Sequence, residues 1–105
     1  MNDVNLKKLA NLLGMAQRAG KLVSGESSVT KIAKTGKIKL LIIAEDVSGE
    51  TAKMYHDMVE YHKIKSIRIF TKDELGTIIG KGYRAAVAVI DQGFAKAMSD
   101  IVKNK

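Results

Sequence analysis

The 105-residue chain contains no cysteine, no proline and no tryptophan, and only three tyrosines and two phenylalanines. Without cysteine there can be no disulfide framework, no thiolate nucleophile and no cysteine-ligated zinc or iron–sulfur centre. With so few rings, the core must be aliphatic. Apolar runs such as Leu40 to Ala44 fall far short of membrane-spanning length. The opening Met1-Asn2-Asp3-Val4-Asn5-Leu6 lacks the basic and apolar regions of a signal peptide, so a cytoplasmic protein is expected. Acids are scarce as well: Lys+Arg number 18 against 11 Asp+Glu, a formal net charge of +7 and a sequence pI near 9.7. That excess on a small protein favours an anionic partner, nucleic acid first and a membrane surface second.

Hydrophobic residues make up 46% and charged residues 28%, a globular balance that excludes disorder and fibrous repeats. The length fits one domain over residues 1–105. Leu6, Leu9, Ala10, Leu13 and Ala16 recur at helical spacing, with Asp3 as the expected N-cap and Gly20 as the stop. Lys21–Ser24 reads as a short strand. Val29, Ile32 and Ala33 line a second helix that ends at Gly36. Lys39–Ala44 reads as a strand buried on both faces of a parallel or mixed sheet. Ser48-Gly49 opens a third helix with Ala52, Tyr55, Val59 and His62 inward, and Ser66–Phe70 is expected as a second core strand.

Thr71 and Glu74 have capping-box spacing before a short helix ending at Gly80. Ala85–Ile90 is a third buried strand, and Asp91 caps a last helix striped by Phe94, Ala97, Met98, Ile101 and Val102. Alternation of this kind predicts helices packed on both faces of a small sheet.

Charge is segregated along the chain. Between Ala16 and Leu40 the cations Arg18, Lys21, Lys31, Lys34, Lys37 and Lys39 face one acid, Glu26. Between Leu41 and His62, Glu45, Asp46, Glu50, Asp57 and Glu60 face one cation, Lys53. One end of the molecule is therefore expected to be electropositive and the opposite region acidic.

Several segments bear on function. Gly76–Gly82 resembles a phosphate-binding loop but is one residue short, lacks the metal-coordinating Ser or Thr, and precedes a strand rather than a helix. Nucleotide hydrolysis is not expected on those grounds, and Gly80 or Gly82 is expected to supply a positive-φ turn. Gly80-Lys81-Gly82-Tyr83-Arg84 offers close backbone approach, two cations and an aromatic plane for an extruded base. Its alternative is a tyrosine folded over the core. Ser24-Gly25-Glu26-Ser27-Ser28 opens the second helix, where unbonded amides favour an anion, with Lys31 one turn along the same face. Its alternative is an ordinary N-cap cluster.

His56 and His62 are six apart and share no helical face, so no metal pair is expected. Glu45-Asp46 follow a strand but have no partner for acid–base chemistry and are read as caps of the next helix.

With these residues in view, the chain resembles the kink-turn-binding ribosomal protein family that includes large-subunit proteins seven-Ae and thirty-e. The likeness runs from about Leu9 to Ile90. It is carried by Gly25…Lys31, Lys39–Asp46, Leu75-Gly76-Thr77…Gly80–Arg84 and the closing apolar strand. The resemblance implies a three-layer α/β/α sandwich on a small four-stranded mixed sheet, and binding to a sharply bent RNA with tandem sheared G·A pairs. In that family the second helix, opening Gly-x-Asn-Glu-x-x-Lys, reads the guanines, and a second loop covers the flipped-out nucleotide.

Gly25 and Lys31 match that motif. Ser27 and Ser28 replace the Asn and Glu, and a serine hydroxyl cannot make the same bidentate contact. Glu26 is the adjacent partial substitute. The second loop maps to Lys81, Gly82, Tyr83 and Arg84, while Lys21, Lys31, Lys34 and Lys37 would supply non-specific attraction. The reading is a non-enzymatic, ribosomal or ribosome-associated RNA-binding protein with no cofactor, metal or small-molecule substrate. Its rivals are an RNA- or tRNA-docking module serving a separate RNA-modifying enzyme, and a protein–protein adaptor acting through the acidic helix from Ser48 to Tyr61.

Overall fold

The computed structural model describes residues 1–103. Its elements are α1 (Asp3–Arg18), β1 (Leu22–Ser24), α2 (Glu26–Ala33), β2 (Leu40–Ile43), α3 (Gly49–His62), β3 (Ser66–Arg68), α4 (Lys72–Ile79), β4 (Ala86–Val89) and α5 (Gln92–Lys103). The strands form one sheet in the order β1-β4-β2-β3. β4 runs antiparallel to both neighbours, and β2 and β3 are parallel, so the sheet is mixed as expected.

Strict alternation in the two central strands builds the layers. Leu40, Ile42, Val87 and Val89 face α1, α4 and α5, where they meet Leu9, Leu13, Leu75 and Met98. Leu41, Ile43, Ala86 and Ala88 face α2 and α3, where they meet Val29, Ala33, Tyr55 and Val59. All eight strand residues are buried, which is why β2 and β4 read as continuous apolar runs. The result is the expected three-layer α/β/α sandwich.

Two expectations change. The side chain that caps α1 is Asn2, whose Oδ1 accepts from the Asn5 amide at 2.8 Å, and Asp3 is the first helical residue. A carboxylate there still favours the positive end of the helix dipole. β3 is an edge strand rather than a core strand: Ser66 and Arg68 are exposed and only Ile67 packs inward. Burial moves to Ile69 and Phe70, just past the strand. A polar residue on either side of one isoleucine is the pattern of a half-covered edge.

The turns follow local chemistry. Thr71 and Glu74 make both bonds of the capping box. α1 and α4 end in Schellman turns on Gly20 and Gly80, each with positive φ. α3 ends on Lys63 in the same left-handed conformation, which a side chain adopts only at a cost.

Tyr55 is fully buried between α3 and the sheet, and its hydroxyl finds no partner among the described residues. Burial, with Glu26 adding repulsion, pushes its pKa from 10.0 up to about 12. Between those values the unfolded chain releases the proton and the folded one keeps it. The stabilisation is therefore intact below pH 10 and is lost as pH rises towards 12, by about 2–3 kcal/mol. Tyr55→Phe should abolish this share of the alkaline destabilisation in urea-unfolding curves across pH 9–12. At pH 7 the variant should be as stable as the parent or more stable by about 1 kcal/mol, because an unpaired buried hydroxyl is removed.

Candidate nucleic-acid interface

The register of the sheet decides which loops meet. Ser24 pairs opposite Val87, and Ile43 opposite Ala86, so the C-terminal ends of β1 and β2 lie beside the N-terminal end of β4. Ile43 also pairs with Arg68 at the end of β3. Four connections therefore emerge at one end of the sheet: Gly25 into α2, residues 44–48 into α3, Phe70–Thr71 into α4, and the loop Gly80–Ala85 into β4.

Hydrogen bonds tie these connections together. Arg84 is the hub. Its Nε donates to the Ser24 Oγ at 3.1 Å, and its Nη1 donates to the carbonyls of Gly82 and Tyr83. Its backbone amide donates to the Lys72 carbonyl at 3.1 Å. The Lys72 amide in turn donates to the Asp46 Oδ1 at 2.8 Å. Arg68 Nη2 donates to the Glu45 carbonyl at 3.1 Å, and the Glu45 amide to the Phe70 carbonyl at 2.8 Å. Sixty residues separate Ser24 from Arg84, yet their side chains join the two segments that sequence singled out.

The opening of α2 is not an ordinary N-cap cluster. Its N-cap, Gly25, holds φ 94° and ψ 137° and supplies no side-chain cap, and Ser24 is turned towards Arg84. That backbone conformation favours glycine. The first-turn residues Glu26, Ser27 and Ser28 are exposed, so the start of the helix presents its amides and two hydroxyls outward. Ser27, Ser28 and Lys31 lie three and four positions apart and share one exposed face.

Across the Arg84 bridge, Tyr83 is 72% exposed and does not fold over the core. Lys81 and Gly82 are exposed beside it. Gly80 supplies the positive-φ turn and Gly82 does not.

The other predicted cations go elsewhere. Lys21 precedes β1, and its carbonyl accepts from the Ile90 amide at the far end of the sheet. Lys34 and Lys37 follow the last turn of α2, towards that same far end. The run of cations from Lys21 to Lys39 therefore does not gather at the rim, where Glu26, Glu45 and Asp46 accompany Lys81 and Arg84. Asp46 does not cap the next helix: it binds the first amide of α4, while Ser48 caps α3. His56 is exposed and His62 half-buried, and no metal-holding cluster exists among the described residues.

Sequence reasoning missed the part played by Gly76. A Cβ at this buried helical position would drive into the carbonyl of Gly82. The missing side chain is what lets the Lys81–Arg84 loop lie against α4. The only sequence signal is a glycine inside an otherwise good helix, a costly choice without a packing reason.

The fold and its rim define a class, a three-layer sandwich with helix- and loop-borne polar groups gathered at one end of a mixed sheet. The chain belongs to the Ribosomal protein L7Ae/L30e/S12e/Gadd45 family, whose model matches residues 7–99. It is 42% identical over 91 residues to the RNA-binding protein YlxQ of Bacillus subtilis, covering 87% of this chain and 91% of that protein. It is 34% identical to the large ribosomal subunit protein eL30 of Sulfurisphaera tokodaii, covering 80% and 81%. A solved structure of a protein with unknown function from Bacillus halodurans superposes with a TM-score of 0.87 at 31% identity, covering 92% of this chain and 98% of that one.

Gly76→Ala should destabilise the protein by about 1–3 kcal/mol through overpacking. Amide chemical shifts should change most over residues 80–85 and little in β2. Uniform loss across the fold with an undisturbed loop would contradict this account.

Proposed function

We propose that the protein binds structured RNA at this rim and selects the kink-turn shape, acting on or near the ribosome and performing no chemistry. The observation that carries the reading is the Arg84–Ser24 bond, which sets the start of α2 and the Tyr83 loop side by side. The exposed amides and hydroxyls of Gly25–Ser28, with Lys31, face the G·A platform. Amides and a lysine suit phosphate oxygens and guanine edges. The Tyr83 ring holds the unstacked nucleotide, which a straight duplex does not offer. Family membership and the names of the relatives support RNA as the ligand.

Arg84 acts here mainly as a brace, since two of its nitrogens are engaged within the protein. Lys34 extends the cationic face of α2 away from the rim. Lys21 and Lys37 contribute only long-range attraction from the far end. Binding works by shifting the RNA towards its bent form, so the affinity difference between bent and straight RNA is the quantity that matters.

Titration at fixed salt should show kink-turn RNA bound at least tenfold more tightly than a straight duplex of equal length. Equal affinities would remove shape selection. Lys31→Ala and Tyr83→Ala, both at exposed positions, should each weaken kink-turn binding by about 1–2 kcal/mol without lowering the melting temperature. Arg84→Ala should weaken it too, but together with a loss of order in residues 80–85.

A further inference from the structure

At the opposite end of the sheet, a second cationic feature lies apart from the rim. Lys39 leads into β2 and Lys65 into β3, on neighbouring parallel strands, with the backbone of each fixed by the sheet. The Lys39 amide donates to the Val89 carbonyl at 2.8 Å, and the Lys65 carbonyl accepts from the Leu41 amide at 2.9 Å. α5 forms the facing wall, with Lys96 and Lys103 two turns apart. Together they line a groove of about 250 Å³, with Gln92 and Ser99 as neutral hydrogen-bonding groups.

All four lysines are exposed. The one lining carboxylate, Asp100, is already paired with Lys96 at 3.1 Å, and Lys39, Lys65 and Lys103 make no ion pair among the described residues. The groove also lies beside β3, whereas the rim centres on β1 and β4 at the other edge.

We propose that this groove is a second, shape-independent docking site for the sugar–phosphate backbone of RNA, separate from the kink-turn rim. Beside the Lys96–Asp100 pair, Lys39, Lys65 and Lys103 remain uncompensated, and that local excess of cations selects a polyanion. The lining holds no aromatic ring, so bases gain no stacking there and sequence or unpaired nucleotides are not required. Nor does it hold an exposed aliphatic anchor, since Ala95 is buried. A protein partner needs such an anchor, and protein interfaces are depleted in lysine. Gln92 and Ser99 match the neutral donors that accompany lysines at phosphate oxygens. Two sites on opposite flanks let one molecule hold two RNA segments.

The test uses the full chain and a straight 12-base-pair RNA duplex, with affinity measured over a range of salt. The variant carries Lys39→Gln, Lys65→Gln and Lys103→Gln, all exposed and without an ion pair among the described residues, with the fold checked by its melting temperature. It should bind the duplex about tenfold or more weakly at low salt, with a log–log salt slope shallower by about two to three. Lys31→Ala/Tyr83→Ala should cost duplex binding no more than a single phosphate contact, a slope change of about one or less, well short of the triple-lysine variant. Wild-type binding and slope in the triple-lysine variant would overturn the proposal, as would a parent protein that does not bind the duplex. An acidic protein displaced from the groove while RNA binding stays intact would also overturn it. Kink-turn affinity in Lys31→Ala/Tyr83→Ala reports on the rim and duplex affinity in the triple-lysine variant reports on the groove, so the two readings fail separately.

Discussion

The guanidinium of Arg84 is the contact on which the rest of the rim depends. It joins the end of β1 to the loop before β4 and holds two carbonyls of its own loop in place. Without it, Lys81, Gly82 and Tyr83 would be an exposed connection with less to fix its path, because all three residues lie outside the core. A planar group with several fixed donors suits this task better than a flexible ammonium. The neighbouring bonds through Lys72 and Asp46 extend the same logic. Each replaces a mobile loop end with a bond to a rigid helix or strand terminus, so the rim is set before any ligand arrives. A preordered site loses less entropy on binding.

This bracing rests on packing one layer below. The Arg84 loop can reach Ser24 only because it lies flat on α4, and it lies flat only because position 76 carries no Cβ. Leu75 and Ile79, on either side of Gly76, are buried in the core with Leu40, Ile42 and Val87. The order of dependence therefore runs from the aliphatic core, through the placement of α4, to the loop and then to the exposed tyrosine. A glycine within a helix weakens that helix by about 1 kcal/mol. Here the loss is offset by the contact it permits.

What could be read from sequence follows from how far each interaction reaches. β2, β4 and the helices were legible because periodicity reports burial over a few residues, and the sheet buries β2 and β4 on both faces. The capping box was legible for the same reason, since both partners lie three residues apart. The likeness to the ribosomal family supplied the sandwich and the two segments proposed to face RNA. The edge status of β3 was not legible, because an isoleucine flanked by polar residues also begins many core strands. Asp46 was misassigned to the nearest helix because its real partner is 26 residues away. Arg84 was read only as a ligand contact, and the bracing by its Nε and Nη1 was not foreseen. Nothing near Arg84 in the sequence points to a serine sixty positions earlier.

Charge shows the same limit more sharply. A run of lysines along the chain suggests one positive face, yet the fold distributes Lys21, Lys31, Lys34 and Lys37 along the whole height of the sheet and α2. Residues remote in sequence, Lys39, Lys65, Lys96 and Lys103, converge instead. Strand register does this: parallel pairing of β2 and β3 brings their leading lysines to one end, and α5 starts from that end because β4 runs the opposite way. Net charge states that the surface attracts polyanions, and only topology says where the field is focused. In this chain, the cations near the rim are interleaved with Glu26, Glu45 and Asp46. Attraction there rests on directed bonds more than on bulk potential, which suits the shape selection proposed for the rim.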